Sequence, residues 1–340
     1  MVKIIWNGKI IRPETANVPV GRYSGGMKHP TLPRISGPYT FENLSLFLLH
    51  GEDHVPSGSY RALQQAMESK STAVYETGNV GELLIENLGD LDVFIQAGDI
   101  LKGGRQDRVI GVDFILGKRS GRVPIPSFCV EQSRWHRRGS ESDMVFSSSP
   151  SYLSSKSVKL GTKVSASQNQ VWSSVAKEQE KLSEAVHCSV SSEESHSSYQ
   201  LTLEHKKVQE RIKSCVETLR KEAADQKDTL GFVFAIGDDL NNADVYANHD
   251  LFLQLWDKLL NAAATEAVSE SQLKKDASKK KLTTKDVEHF LEKKDLTTGE
   301  PRLVTPRVQL RQYGSEKKFR FETEDLDHKS ACVHTNVISK

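Results

Sequence analysis

Apolar residues follow two rhythms along this chain. Between residues 71 and 132 short apolar runs alternate with polar positions in STAVYETG, VGELLIEN, LDVFIQ, RVIGVDFIL and RVPIPSFCVEQ, parted by turn material such as NLGD, AGD and GKRSG. A period of two predicts strands, and connectors this short fit antiparallel pairing, because a parallel partner requires a crossover of a dozen or more residues. Five such strands in succession predict a sandwich or jelly-roll-like unit.

Elsewhere the rhythm is helical. QNQVWSSVAKEQEKLSEAV places Val171, Trp172, Val175, Leu182 and Val186 on one face, and HKKVQERIKSCVETLRKEA does the same with Val208, Ile212, Cys215, Val216 and Leu219. HDLFLQLWDKLLNAAATEAV carries a wide stripe of Leu251, Phe252, Leu255, Trp256, Leu259, Leu260 and Ala263, the signature of a helix packed into a core. SYRALQQAMESK predicts a shorter helix behind a Ser59 cap. LSLFLLH, the pair of runs in TLGFVFAIGDDLNNADVYAN, and the pair KKFRFETED and SACVHTNVI add strands.

Between these elements the periodicity lapses. Residues 1–40 are rich in Gly and Pro and predict an irregular arm with one short strand at positions 3–5; residues 41–340 are then expected to form a single elaborated domain. Serine-rich stretches near 140–167 and 188–200 predict polar loops, the first of which Phe146, Pro150, Tyr152 and Leu153 could instead pin across a pocket as a lid. Residues 269–315 predict a charged insertion with one short helix at 286–291. The fold expected is α+β, an antiparallel strand-rich core with two to three amphipathic helices packed on it.

Charge narrows the partners. Lys and Arg number 46 against 45 Asp and Glu, so the chain as a whole has no field to hold nucleic acid or a membrane surface. The four cysteines, Cys129, Cys188, Cys215 and Cys332, are scattered without CxxC spacing, so no metal site is expected and the thiols read as reduced. No run approaches the roughly 18 apolar residues that span a bilayer, and MVKIIWNGKIIRP is too interrupted to be a signal segment, which predicts a cytoplasmic protein.

Candidate chemistry gathers in two stretches. In GGRQDRVIGVDFIL, alternation puts Ile110, Val112, Phe114 and Leu116 on the core face and extends that face back to Arg108 and Gln106, leaving Arg105 and Asp107 opposite. A guanidinium at such a rim requires either an acidic partner or an anionic ligand, since an unpaired buried charge is costly. Gly103 and Gly104 before it permit a tight turn or a close backbone approach. In CVEQSRWHRR, Cys129 and Glu131 share a strand face while Arg134, Trp135 and His136 follow at its end. Together they could supply nucleophile, base, anion clamp and stacking surface, although a lone strand cysteine is more often a small buried hydrophobe. Asp238 and Asp239 read as turn residues, and the usual metal, hydrolase and nucleotide-loop motifs are absent, so no cofactor is expected.

The hairpin NLGDLDVFIQAGD, the GGRQDR element and CVEQSRW resemble a family of unknown function named for its association with ADP-ribosylglycohydrolases and rhodanese-phosphatase proteins. The likeness extends to NQVWSSV, to GFVFAIGDDLNNADVY and to the helix around 251–260; the chain has Ser133 where the family pattern has Gly before Arg134-Trp135. The resemblance implies the family's fold and a connection to ADP-ribose or nucleotide-derived ligands. Two expectations follow. In one, Arg105, Arg108 and Arg134 clamp a small anionic ligand that Gln106 and Glu131 read and Trp135 stacks on; in the other, the same charges are structural and the chain is a non-catalytic interaction or scaffold module. Catalysis by Cys129 and Glu131 is a third.

Overall fold

A computed structural model describes residues 34–132, 134–224, 226–271 and 281–340, together with the backbone of two short paired strands, β1 (Ile4–Trp6) and β2 (Lys9–Ile11). Ser133 and residues 272–280 of the lysine-rich segment lie outside the described residues. The last part of the expected irregular arm is instead β3 (Arg34–Phe41), an edge strand paired with β4 (Leu44–His50). Gly and Pro are tolerated there because an edge strand has one side free of ladder hydrogen bonds. Next come β5 (Tyr60–Ala62) and α1 (Leu63–Glu68), whose cap is Ala62 and not Ser59. Ser59 spends its hydroxyl on the Pro56 carbonyl, and the strand before the helix takes the residues that a Ser59 cap would have claimed.

The strand-rich middle comprises β6 (Thr72–Glu76), β7 (Glu82–Asn87), β8 (Asp92–Ile95), β9 (Asp99–Gly103), β10 (Arg108–Ile110), β11 (Phe114–Leu116), β12 (Gly121–Cys129) and β13 (Val145–Leu153). Six of these close a barrel in the order β10-β12-β7-β6-β13-β9, filled by Val74, Leu83, Ile85, Leu101, Ile110, Ile125 and Phe146. RVIGVDFIL, expected as one strand, breaks at Gly111: β10 stays in the barrel while β11 joins β8 and β5 in a separate sheet. A Cβ on Gly111 would stand 2.7 Å from the Phe128 ring, so only glycine lets the chain cross there.

The first serine-rich stretch is not a loop. β13 supplies the strand that closes the barrel between β6 and β9, and α2 (Lys156–Lys163) follows directly. Pairing of residues 145–148 and of Leu153 with the neighbouring strands orders the serines despite an irregularity between Ser148 and Leu153, and the buried Phe146, Tyr152 and Leu153 anchor the strand. Then come α3 (Gln168–Ala185), α4 (Tyr199–Glu204), α5 (Lys206–Ala224), the hairpin β14 (Thr229–Ile236) and β15 (Asp239–Tyr246), and α6 (His249–Ser269). The expected apolar stripes of α5 and α6 are buried, and α6 is capped by the Asn248 side chain. Residues 188–200 are polar but partly interior, with Val190 and Ser198 buried.

Within the segment expected as a charged insertion, α7 (Thr284–Leu291) begins on a Thr283–Asp286 capping box. After it, β16 (Thr297–Thr298), β17 (Arg302–Leu303) and β18 (Val308–Gly314) are sheet strands and not insertion. With β19 (Lys318–Asp325) and β20 (Ala331–Ser339) they complete a nine-stranded sheet, β16-β18-β19-β20-β15-β14-β4-β3, with β17 beside β18. Every pairing is antiparallel except β5 with β8. β14 is buried along its whole length because α6 covers one face of the sheet and α7 the other, which explains its unbroken apolar run. The fold is α+β and antiparallel, as expected. Among the described residues no helix is long and apolar enough to cross a membrane, and all four cysteines are free.

Candidate functional site

Strand registers bring both predicted stretches to one mouth of the barrel. Glu76 ends β6, Gly103 ends β9, Arg108 opens β10 opposite Cys129 at the end of β12, and Val145 opens β13 opposite Tyr75. The turn from β9 into β10 depends on Gly103 and Gly104, both at positive φ; a Cβ on Gly104 would collide with the Phe146 ring that caps the barrel interior.

At this mouth the charges are paired in a fixed order. Arg134 makes a two-pronged bond to Glu131, Nε to Oε1 at 2.7 Å and Nη2 to Oε2 at 2.6 Å. Arg138 does the same to Asp107 at 2.9 and 3.1 Å and reaches Glu141 at 3.0 Å. Asp107 further accepts from the Ser198 hydroxyl at 2.8 Å and from the Gly103 N–H at 3.0 Å. Asp107 is therefore buried, which corrects the expectation that it faces away: residues 104–107 are a turn, so strand alternation does not extend through them. Gln106 Nε2 donates to the Glu131 carbonyl at 3.0 Å and the Asp107 N–H to Glu131 Oε2 at 2.9 Å. Burial opposes the Glu131 charge, but the bonds from Arg134, Ser195 and the Asp107 N–H prevail and hold its pKa below the ordinary carboxylate value.

Arg108 is fully buried and meets Glu76 at 3.3 Å, the Gln106 carbonyl at 3.1 Å and the Cys129 sulfur at 2.8 Å, while its Nε has no acceptor. Burial pushes the Cys129 thiol up to about 11, more than the Arg108 guanidinium offsets, and its Sγ lies 3.0 Å from Gln106 Oε1. Such a thiol is neutral and enclosed, the opposite of an activated nucleophile. Trp135 is 41% exposed, with the Arg105 guanidinium 5.5 Å and that of Arg108 5.8 Å from its ring centre. Among the described residues no acceptor engages the Arg105 guanidinium; only its backbone N–H is bonded, to Glu76 at 3.3 Å. The sequence reading missed Glu76, Arg138, Glu141 and Ser198. Arg138 belongs to the same quoted CVEQSRWHRR, and its even spacing from Arg134 was the available signal.

A second polar centre is buried between the barrel and the large sheet. His334 on β20 stands between two carboxylates, Nδ1 2.7 Å from Asp113 Oδ2 and Nε2 3.0 Å from Asp244 Oδ1, with Tyr246 stacked on it at 4.8 Å. Burial alone would lower its pKa, but Asp113 and Asp244 overcome this and raise it, which favours the imidazolium form, with each ring nitrogen facing a carboxylate oxygen. Asp113 also accepts from the Ala97 N–H and the Thr323 hydroxyl, each at 2.7 Å, and Asp244 from Asn336 at 2.9 Å and Asn242 at 2.6 Å. Lys258 and Asp99 pair at 2.7 Å nearby, both 1% exposed. A polar cavity of about 10 Å³ lies beside it, lined by Ser154, Lys159, Asn242, Asp244 and Glu266; it has room for a single water.

An antiparallel α+β protein with a charged barrel mouth and a second buried ionic centre is the class that these features define. The chain belongs to the ARG and Rhodanese-Phosphatase-superfamily-associated Protein domain family, whose model matches residues 33–339. No curated protein and no solved structure matches the chain.

Proposed function

We propose that the domain binds a small anionic ligand, ADP-ribose-like or nucleotide-derived, at the barrel mouth. The observation that carries this reading is the Arg105 guanidinium beside the exposed Trp135 ring with no acceptor among the described residues, next to an Arg108 whose Nε also lacks one there. An indole face and two adjacent guanidiniums suit a planar group joined to a phosphate. In this reading Arg105 and Trp135 touch the ligand, and the buried Arg108, paired with Glu76, adds its positive charge from behind the Trp135 ring. Arg134, Glu131 and Gln106, being spent on one another, fix the turn that presents Arg105 and Trp135. The neutral Cys129 thiol and the ion-paired Glu131 favour binding over covalent chemistry.

The pairing of Arg134 with Glu131 and of Arg138 with Asp107 favours a second reading, a non-catalytic interaction module in which the charges are architectural. Calorimetric titration with ADP-ribose separates the two. Binding that falls tenfold or more in Arg105→Ala and in Trp135→Ala, with melting temperatures within about 1 °C of the parent, supports the ligand site. Absence of binding, or binding indifferent to both changes, leaves the second reading standing.

A further inference from the structure

The segment after α7 builds a groove of about 260 Å³ beside β18 of the large sheet. Thr297, Gly299, Glu300 and Arg302 form one wall, Leu310, Gln312 and Gly314 of β18 the other, and Lys163 at the end of α2 closes it. Lys163 is the unusual member. Its ammonium is bonded to the neutral amide oxygen of Asn336 at 3.0 Å and lies 4.1 Å from the centre of the Phe321 ring. Among the described residues no carboxylate stands within 4.0 Å of it, whereas Arg108, Arg134, Arg138 and Lys258 are each matched at that distance and Lys159 alone of the buried cations shares its lack of one. Burial pushes its pKa below the ordinary lysine value, against the pull of Asp113 and Asp244 behind it. A partly desolvated cation without a counter-charge, facing a groove, is stabilised by any anion that enters.

We infer that this groove is a second anion site, separate from the barrel mouth, that takes a compact oxyanion such as a phosphate monoester or a small dicarboxylate. Lys163 and Arg302 hold the anion from the two ends, the Thr297 hydroxyl and the Gln312 amide donate to its oxygens, and Leu310 lies against its carbon frame. Glu300 on the rim opposes the anion and sets a limit on affinity. Asn336 ties Lys163 to Asp244 and through it to His334, so an anion on Lys163 also acts on the buried centre.

The test uses the full chain carrying Arg105→Ala and Trp135→Ala, so that the barrel mouth does not contribute. Inorganic phosphate and malonate at about 20 mM, each compared with sodium chloride of equal ionic strength, are expected to raise the melting temperature by about 1–3 °C. Arg302→Gln, at an exposed position, should abolish at least half of the rise, and Glu300→Gln should increase it. Lys163→Met should abolish it, but that variant also alters the interior, so the two surface variants decide. Phosphate alone giving a rise assigns the site to phosphate esters, and malonate alone to carboxylates. No rise with either anion, or a rise unchanged in Arg302→Gln, overturns the inference.

Discussion

The barrel mouth and the centre around His334 solve the same problem with opposite chain economy. At the mouth, Asp107, Arg108, Cys129, Glu131, Arg134, Arg138 and Glu141 come from a few tens of consecutive residues, with Glu76 and Ser198 as the outlying partners. At the centre, His334 reaches Asp113 and Asp244 across 221 and 90 positions of sequence. The mouth uses planar guanidiniums in two-pronged pairs; the centre uses one imidazolium between two carboxylates, closed by Asn242 and Asn336. The first fixes a loop against the end of a barrel. The second fixes two layers of the molecule to each other, and so belongs to the assembly of the fold as a whole.

The largest effect expected is at the mouth. Arg138→Met strands the buried Asp107 carboxylate and should lower stability by about 3–5 kcal/mol in urea unfolding, whereas Arg105→Ala, on the rim, should stay within about 0.5 kcal/mol. Equal losses would break the distinction between architectural and ligand-facing arginines. Next is His334→Gln, expected to lose roughly 1–3 kcal/mol near pH 6. Its dependence on pH is set by the raised folded pKa. The imidazolium's contribution is complete below the unfolded value of about 6.5 and is lost as pH rises through the folded value. The depressed Asp113 and Asp244 add stability above about pH 4 that disappears in acid. The deficit of His334→Gln should therefore shrink between pH 6 and pH 9; a deficit that grows would show that the ring is neutral. The smallest effect is at Cys129. Cys129→Ser should change stability by no more than about 1 kcal/mol, and with a pKa of about 11 the native thiol should resist iodoacetamide at pH 8. Rapid alkylation of the folded protein would restore it as a nucleophile.

What was legible in the sequence follows the same division. Residues 103–138 could be read as a charged cluster because they are neighbours in the chain, and of the glycines that begin it Gly104 is required by the Phe146 contact and Gly103 by its positive φ. Their pairing was not legible, since strand alternation fails in a turn. The helices around Val208 and Leu251 were readable from the apolar stripe, and β14 and β15 from their apolar runs and the Gly237 turn. Asn242, Asp244, His334 and Asn336 left a signal in NNAD and HTN, polar residues inside strands otherwise fit for a core, but nothing local says that they meet. β13 was missed because its serines owe their order to partners in β6 and β9, which composition does not register.

β20 follows every other described element in the chain, yet it lies between β15 and β19 in the middle of the large sheet and carries His334 and Asn336. During synthesis, the half of the sheet built on β14 and β15 and the half built on β18 and β19 must wait, each with an open edge, until this strand leaves the ribosome. A chain interrupted before residue 331 therefore carries two unfilled docking edges and two unpaired interior carboxylates, Asp113 and Asp244. The large sheet therefore closes only when β20 docks, and a chain without this strand leaves bare the two edges that it covers.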